Sequence, residues 1–345
     1  MLSAKFPQSE VPASESFYSG MVPNLRFNIT MAVIFGILWL FHVVMGVWTK
    51  QYWFWVAFTC ACTLEVLGYV GRALSHNDVM NMNDFLLQII CLTIAPVFTM
   101  GGIYYQLAKL IEIYGHKFAL LSSPMAYSYI FICCDIVSLV VQAVGGGMAG
   151  MAVSQHTNGA EGDHIFVAGL AIQVASMSIF LFLWFHLLYK IFIETRMKHV
   201  GAQKFSWALL KISQDEIDYM YRPKYEFLRR NPRRWTFHWF TLALTAAVIF
   251  VFVRCIYRVI ELAEGWSGYL ITHEWYFIIL DAVMMSCATL ILSFFHPGFA
   301  FEGRKVSIKI TNEKKAIENE EPSSSATSSI ADQGSRYSMK PENQV

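Results

Sequence analysis

Seven stretches of this chain are apolar over enough consecutive residues to cross a bilayer. A spanning helix needs about 20 such residues, and runs of that kind fall at 29–48, 52–74, 85–110, 125–148, 165–190, 236–259 and 274–295. The pattern predicts an all-α integral membrane protein, with an N-terminal segment at 1–28, a seven-helix domain at 29–295 and a tail at 296–345. A long polar connection at 191–235 separates spans five and six. No internal repeat is visible, so inverted-repeat transporter architectures find no support. Span three contains Pro96, a packing kink or a hinge, followed by Gly101 and Gly102, where neighbouring helices can come close. Span seven ends at His296-Pro297-Gly298, a helix stop.

Polar residues interrupt these runs at helical spacing. Asp135, Ser138 and Gln142 stand at i, i+3 and i+7 of span four, on one face. Glu65, Tyr69 and Arg72 share a face of span two. Gln173 lies in span five, Arg254 and Arg258 in span six, and Asp281 about two turns into span seven. A charged side chain at mid-bilayer costs roughly 2.5–3.5 kcal/mol on insertion scales, so these groups must face protein or water.

Composition and charge then orient the chain. Only 15% of residues are charged, against about 25% in a soluble domain. The net charge of +1 is unevenly placed. Arg196, Lys198, Lys204, Lys211, Arg222, Lys224, Arg229, Arg230, Arg233 and Arg234 crowd the long connection, and Arg304, Lys305, Lys309, Lys314, Lys315, Arg336 and Lys340 follow in the tail. The connections at 75–84, 149–164 and 260–273 hold no Lys, and no Arg. The positive-inside rule puts the basic connection and tail in the cytosol and the N-terminus outside. An external N-terminus makes Asn28, in Asn28-Ile29-Thr30, a candidate glycosylation acceptor close to the bilayer.

With that orientation, Glu65, Arg72, Asp135, Gln142, Gln173, Arg254 and Asp281 come from five helices and lie at mid-depth or in the outer half. The inner halves hold little comparable. Two readings follow: helix-locking pairs, such as Glu65 with an arginine, or a water-accessible cavity opening toward the outer leaflet and lined by these residues and Ser138. In the basic connection, Phe205, Leu209, Ile212 and Tyr219 or Met220 fall roughly on one face, as in a short interfacial helix; a solvated linker reads as well. The tail from about 311 is polar and Ser-rich and reads as disordered, with serines open to phosphorylation. The connection and tail are where regulatory partners would bind.

Several chemistries are excluded or demoted. The nearest approach to a phosphate loop, GFAFEGRK at 298–305, has Arg304 where a lysine is required. No H-x-x-x-H or H-E-x-x-H pair supports a metal site, and no G-x-S-x-G elbow supports a hydrolase. Nothing points to an enzyme, a metal or a cofactor. No basic patch interleaved with aromatics points to nucleic acid. The start of the chain has no early apolar core of a cleavable signal. All seven cysteines fall inside spans, so no external disulfide framework is expected. A rhodopsin-type receptor shares the topology. However, span three ends in KLIEIYG without an acid-Arg-Tyr triplet, and span seven ends in SFFHPG without Asn-Pro-x-x-Tyr.

LEVLGYVGR at 64–72, LTIAPVFTMGGIYYQL at 92–107, DIVSLVVQAVGGG at 135–147, GLAIQ at 169–173 and FHPG at 295–298 resemble the fungal RTA-like family of seven-helix lipid-translocating exporters. MVPNLRFNIT, SPMAYSYIFICCDIVSLVVQAVGGG and GYLITHEWYFIILDA are similar to members that handle sphingoid long-chain bases. The resemblance covers roughly residues 20–310. It implies a multi-pass plasma-membrane protein that releases sphingoid bases, such as phytosphingosine and dihydrosphingosine, from the cytosolic side. It further implies that Gln142 is a functional position. A lipid-responsive receptor, or a regulator of lipid asymmetry, is the alternative.

Overall fold

The computed structural model describes residues 20–301 apart from 122, 156, 158, 203, 205, 232, 233, 266 and 267, together with Tyr18, Ile308 and Ile310. Phe205, the polar tail from 311 and its serines lie outside the described residues. Seven helices are long and apolar enough to span a membrane. They are α1 (Leu25–Thr49), α2 (Tyr52–Ser75), α3 (Met82–Tyr114), α4 (Pro124–Ser154), α5 (Ala160–Val200), α6 (Trp235–Ala263) and α7 (Glu274–Ala300). Each covers one of the expected spans and extends it. Sequence neighbours pack as α1–α2–α3–α4–α5–α6–α7, α7 returns to α1, and α3 also touches α6. The bundle thus has two ends: one carries the start of α1, the other the basic connection.

α3 is the core helix. From Gly102 to Tyr114 every residue but Tyr105 is buried. A helix wrapped on all sides by protein needs no solvent-facing polar stripe, and its polar residues here, Gln106, Lys109 and Glu112, are buried with the rest. Its 33 residues rise about 50 Å, well beyond a hydrocarbon core of about 30 Å. The surplus projects at the basic end, as does that of the 41-residue α5. α3 stays helical through Pro96. Gly102 lies against Phe58 and Ala57, whereas Gly101 has open space beside it.

At the basic end the long connection departs from both expectations, being neither one interfacial helix nor a solvated linker. It folds into short helical turns (Trp207–Lys211, Gln214–Ile217, Asp218–Met220, Pro223–Tyr225 and Glu226–Arg229) that cap the projecting helices. Ile217, Tyr221, Tyr225 and Leu228 are buried beneath it. Arg229 bonds the Asp218 carboxylate at 2.6 Å and the Ile113 carbonyl, at the end of α3, at 2.8 Å. Arg222 pairs with Glu112, and Arg196 donates to the Ile212 carbonyl at 3.3 Å. Three arginines of the positive-inside set therefore hold the cap to the bundle.

The same cap corrects the expectation that this half of the bundle lacks buried polar groups. His42, Lys109, Glu112, Ser293 and His296 are all buried there. Lys109 bonds Gln51, and His42 lies 3.0 Å from the Ser293 hydroxyl. Part of their polarity is matched by one another and by the cap, whereas Nδ1 of His42 and Nε2 of His296 make no hydrogen bond among the described residues. Phe295 breaks α7 as expected, and His296 then caps a final turn, accepting from the Gly298 amide at 3.0 Å.

Candidate functional site

Two apolar grooves lie end to end along the α3–α4 seam. The first, of about 450 Å³, runs between Met82–Ile94 of α3 and Leu139–Met151 of α4, with Gln142, Thr93 and Phe166 in its walls. The second, of about 490 Å³, is formed by Tyr52, Trp53 and Val56 of α2, Val97, Phe98 and Gly101 of α3, and Ile132, Asp135 and Ile136 of α4. Leu139 borders both, and Pro96 lies between the α3 residues of one and those of the other. Residues 82 to 101 of α3 rise about 28 Å, close to the thickness of the hydrocarbon core. The walls include exposed apolar side chains, among them Ile90, Ile136, Val56 and Met151. On a spanning helix such side chains face lipid, so both grooves open sideways into the bilayer.

Helix packing sets the two polar stations on this track. Gly169 of α5 sits so close to α4 that a Cβ there would stand 2.6 Å from Cγ of Gln142. That approach brings the Gln142 amide within 3.2 Å of the Gln173 carbonyl oxygen, to which it donates. Gly145 meets the backbone of Phe166 just as tightly, whereas Gly147 faces open space in the first groove. Asp135 is buried, and one of its oxygens accepts the Tyr104 hydroxyl at 3.0 Å. Its other oxygen makes no hydrogen bond. Among the described residues no cation pairs with it. Ser138 turns back to its own helix, donating to the Asp135 carbonyl at 2.7 Å.

The remaining candidates form a second assembly between α2, α3, α6 and α7. Arg254 bonds Asp281 at 2.8 Å, and Arg258 pairs with the other Asp281 oxygen. Arg258 also reaches Glu261 at 3.0 Å, and Glu261 accepts the Tyr257 hydroxyl at 2.7 Å. Asp281 lies in a π-helical stretch, Ile278–Val283, an irregularity common at functional sites. Glu65 is 1% exposed and makes no hydrogen bond through either oxygen; its nearest guanidinium nitrogen, on Arg254, is 4.0 Å away. The same Arg254 nitrogen donates to the Leu92 carbonyl at 2.5 Å. In a regular helix that carbonyl would accept from residue 96, which is a proline without an N–H. Arg254 thus satisfies the one acceptor that Pro96 leaves open.

Nearer the N-terminal end, Arg72 bonds Glu274 at 3.3 Å and lies 4.0 Å from the centre of the Phe277 ring. Glu274 also accepts the Asn24 amide at 2.9 Å, at the N-cap of α1. Tyr18, above Arg72, donates to Gln88 at 2.6 Å, and burial pushes its phenol above the ordinary range. Asn28, the expected glycosylation acceptor, is inside α1 and buried, and its amide nitrogen donates to the Asn24 carbonyl at 2.8 Å.

The structure therefore brings the eight expected residues into separate groups rather than one cavity. Gln142 joins Gln173, Asp135 stands with Tyr104 and Ser138, and Glu65, Arg254 and Asp281 share a closed cluster. Arg72 is tied to α7. Helix-locking pairs and a lipid-facing polar track are both present, on different faces of α3. Tyr104 and Leu139 escaped the sequence reading, since neither is conspicuous inside an apolar run.

A family model described as RTA1 like protein matches residues 58–304. The sphingoid long-chain base transporter RSB1 of Saccharomyces cerevisiae strain Lalvin EC1118 is 64% identical over 311 residues, which cover 90% of this chain and 81% of that protein. Two more distant relatives from S. cerevisiae are protein RTM1 and protoporphyrin uptake protein 1. Each is 27% identical over 230 residues, covering 67% of this chain and 63% and 64% of the two relatives. No solved structure matches. The chain, from the Glu65 motif through the α4 glycines to the end of α7, belongs to the RTA1 like protein family.

Proposed function

We propose that this protein exports sphingoid long-chain bases from the cytosolic to the outer side of the plasma membrane. In this reading the tail stays in lipid beside the α3–α4 seam, while the headgroup passes Asp135 and then Gln142. The observation that carries it is an acid, Asp135, that borders an apolar lipid-facing groove and has no cation paired with it among the described residues. A sphingoid base offers one long chain, a protonatable amine and hydroxyls. Its ammonium is costly at bilayer depth, and an unpaired carboxylate offers the counter-charge there. The Gln142 and Gln173 amides supply donors and acceptors for the hydroxyls. Asp281, matched by two guanidiniums, has no remaining charge to offer, so the amine falls to Asp135. The substrate class is supported by the 64% identical relative that bears the name of sphingoid long-chain base transporter. The order in which an outgoing headgroup would meet Asp135 and then Gln142 follows from the Lys and Arg of the basic connection, which favour the cytosol.

A second reading, a lipid-responsive receptor or regulator, is favoured by the direct tie from α3 to the cap through Glu112 and Arg222. Purified protein in liposomes separates the two. A tail-labelled sphingoid base is followed with a membrane-impermeant quencher. Wild-type protein is expected to speed crossing, and Asp135→Asn and Gln142→Ala to fall to the protein-free rate while remaining membrane-inserted. Normal rates in both variants would overturn the groove as the path. Specific binding without crossing supports the receptor.

A further inference from the structure

The cluster that locks α2, α6 and α7 contains one acid too many. Arg254 and Arg258 are matched by Asp281 and Glu261, and Arg72 is matched by Glu274. Glu65 is left over, fully enclosed and without a hydrogen bond to either oxygen. The groups that face it are Arg254 and Arg258 on α6, Asp281 on α7, Cys91 on α3, and Cys62 and Tyr69 on its own helix. With a proton on Glu65 the cluster is neutral. Without it, the cluster carries one uncompensated negative charge in a closed interior, an arrangement that draws the nearest movable cation.

That cation is Arg254. Its Nη2 is 2.5 Å from the Leu92 carbonyl and 4.0 Å from the Glu65 carboxylate. A shift of the guanidinium toward ionised Glu65 strips the Leu92 carbonyl of its donor, and Pro96 has no N–H to replace it. α3 is then unsupported between the two grooves, beside Leu139. A small cavity of about 40 Å³, lined by Arg72, Gln88, Arg258 and Glu261 among others, leads toward the cluster from the N-terminal end.

We propose that Glu65 is a proton-binding site at which inward movement of a proton is exchanged for outward movement of the ammonium lipid, with Arg254 passing its charge state to the break at Pro96. This deepens, and rests on, the exporter reading. In the proposed cycle the carboxyl takes its proton from the N-terminal side, where the small cavity lies, and gives it up toward the basic end once Arg254 has moved. One proton enters for each ammonium that leaves, so the exchange is electroneutral and no covalent bond other than O–H is made or broken.

The test uses the full protein in liposomes and a tail-labelled sphingoid analogue with a trimethylammonium headgroup, which carries no titratable proton of its own. A pH gradient of two units is expected to drive wild-type protein to a several-fold asymmetry of the label toward the acidic side. A potassium–valinomycin potential is expected to have no effect. Glu65→Gln, which keeps shape but fixes the neutral form, is expected to equilibrate the label with no response to the gradient. Pro96→Ala restores the helix hydrogen bond of Leu92 and is expected to weaken the response while the protein stays folded. Equal responses in wild type and Glu65→Gln overturn the proposal, as does label that crosses in wild type without regard to pH. No crossing at all overturns the exporter reading beneath it.

Discussion

At the scale of single residues, two of the buried acids within the spans, Asp281 and Asp135, differ in their company. Asp281 is satisfied by two guanidiniums, whereas Asp135 has a phenol on one oxygen and nothing on the other. A buried acceptor that loses its one partner costs about 1–3 kcal/mol. Tyr104→Phe is therefore expected to lower stability by that amount, read as a shift of thermal unfolding in detergent, and to slow lipid crossing because the carboxylate is no longer held against the groove. An unchanged melting curve would show that the Tyr104–Asp135 bond contributes nothing. Asp135, Ser138 and Gln142 were legible in the sequence because polar residues at helical spacing stand out in an apolar run. Tyr104 was not legible, since a tyrosine in a span reads as ordinary packing. The role of Arg254 at the Leu92 carbonyl was hidden for another reason: it depends on a contact 162 residues away in sequence.

At the scale of elements, the three glycines of α4 do different jobs. Gly145 makes a close crossing with α5, where an added Cβ would stand 2.3 Å from the Phe166 amide nitrogen, whereas Gly147 meets nothing. Gly145→Ala is expected to destabilise by roughly 1–3 kcal/mol, as overpacking does, and Gly147→Ala to leave stability unchanged. Equal melting temperatures for the two would remove the distinction. The seven spans were legible as elements, because apolar length is a direct consequence of bilayer thickness, whereas the ten residues by which α5 outruns its expected end at 190 were not. Nor was the cap. Its arginines obey the positive-inside pattern whether they meet water or a buried acid, and no periodicity in the connection distinguishes a linker from a set of turns. The structure assigns Arg229 to Asp218 with both nearly inaccessible. Breaking such a pair by removing one partner costs about 3–5 kcal/mol. Arg229→Ala is thus expected to open the connection to limited proteolysis between residues 201 and 234 while the spans remain protected.

At the scale of the molecule, six helices around α3, which is buried almost throughout from Gly102 to Tyr114, separate two tasks. One side of α3 holds a charge cluster that is shut away from lipid, and the other holds a seam that is open to it. Two grooves whose walls include side chains exposed on the bundle's outer surface have a consequence for kinetics. A substrate that enters sideways never has to dissolve in water, so the protein senses a two-dimensional concentration. Its rate is expected to follow the mole fraction of sphingoid base among the membrane lipids. Adding carrier lipid at constant total substrate should slow turnover in proportion, whereas adding buffer should not. A rate that instead tracks the amount of base per volume of buffer would mean that the lipid is captured from the aqueous phase. For a cell, such a protein responds to how crowded its own membrane has become with these bases, and dilution by ordinary phospholipid is enough to quiet it.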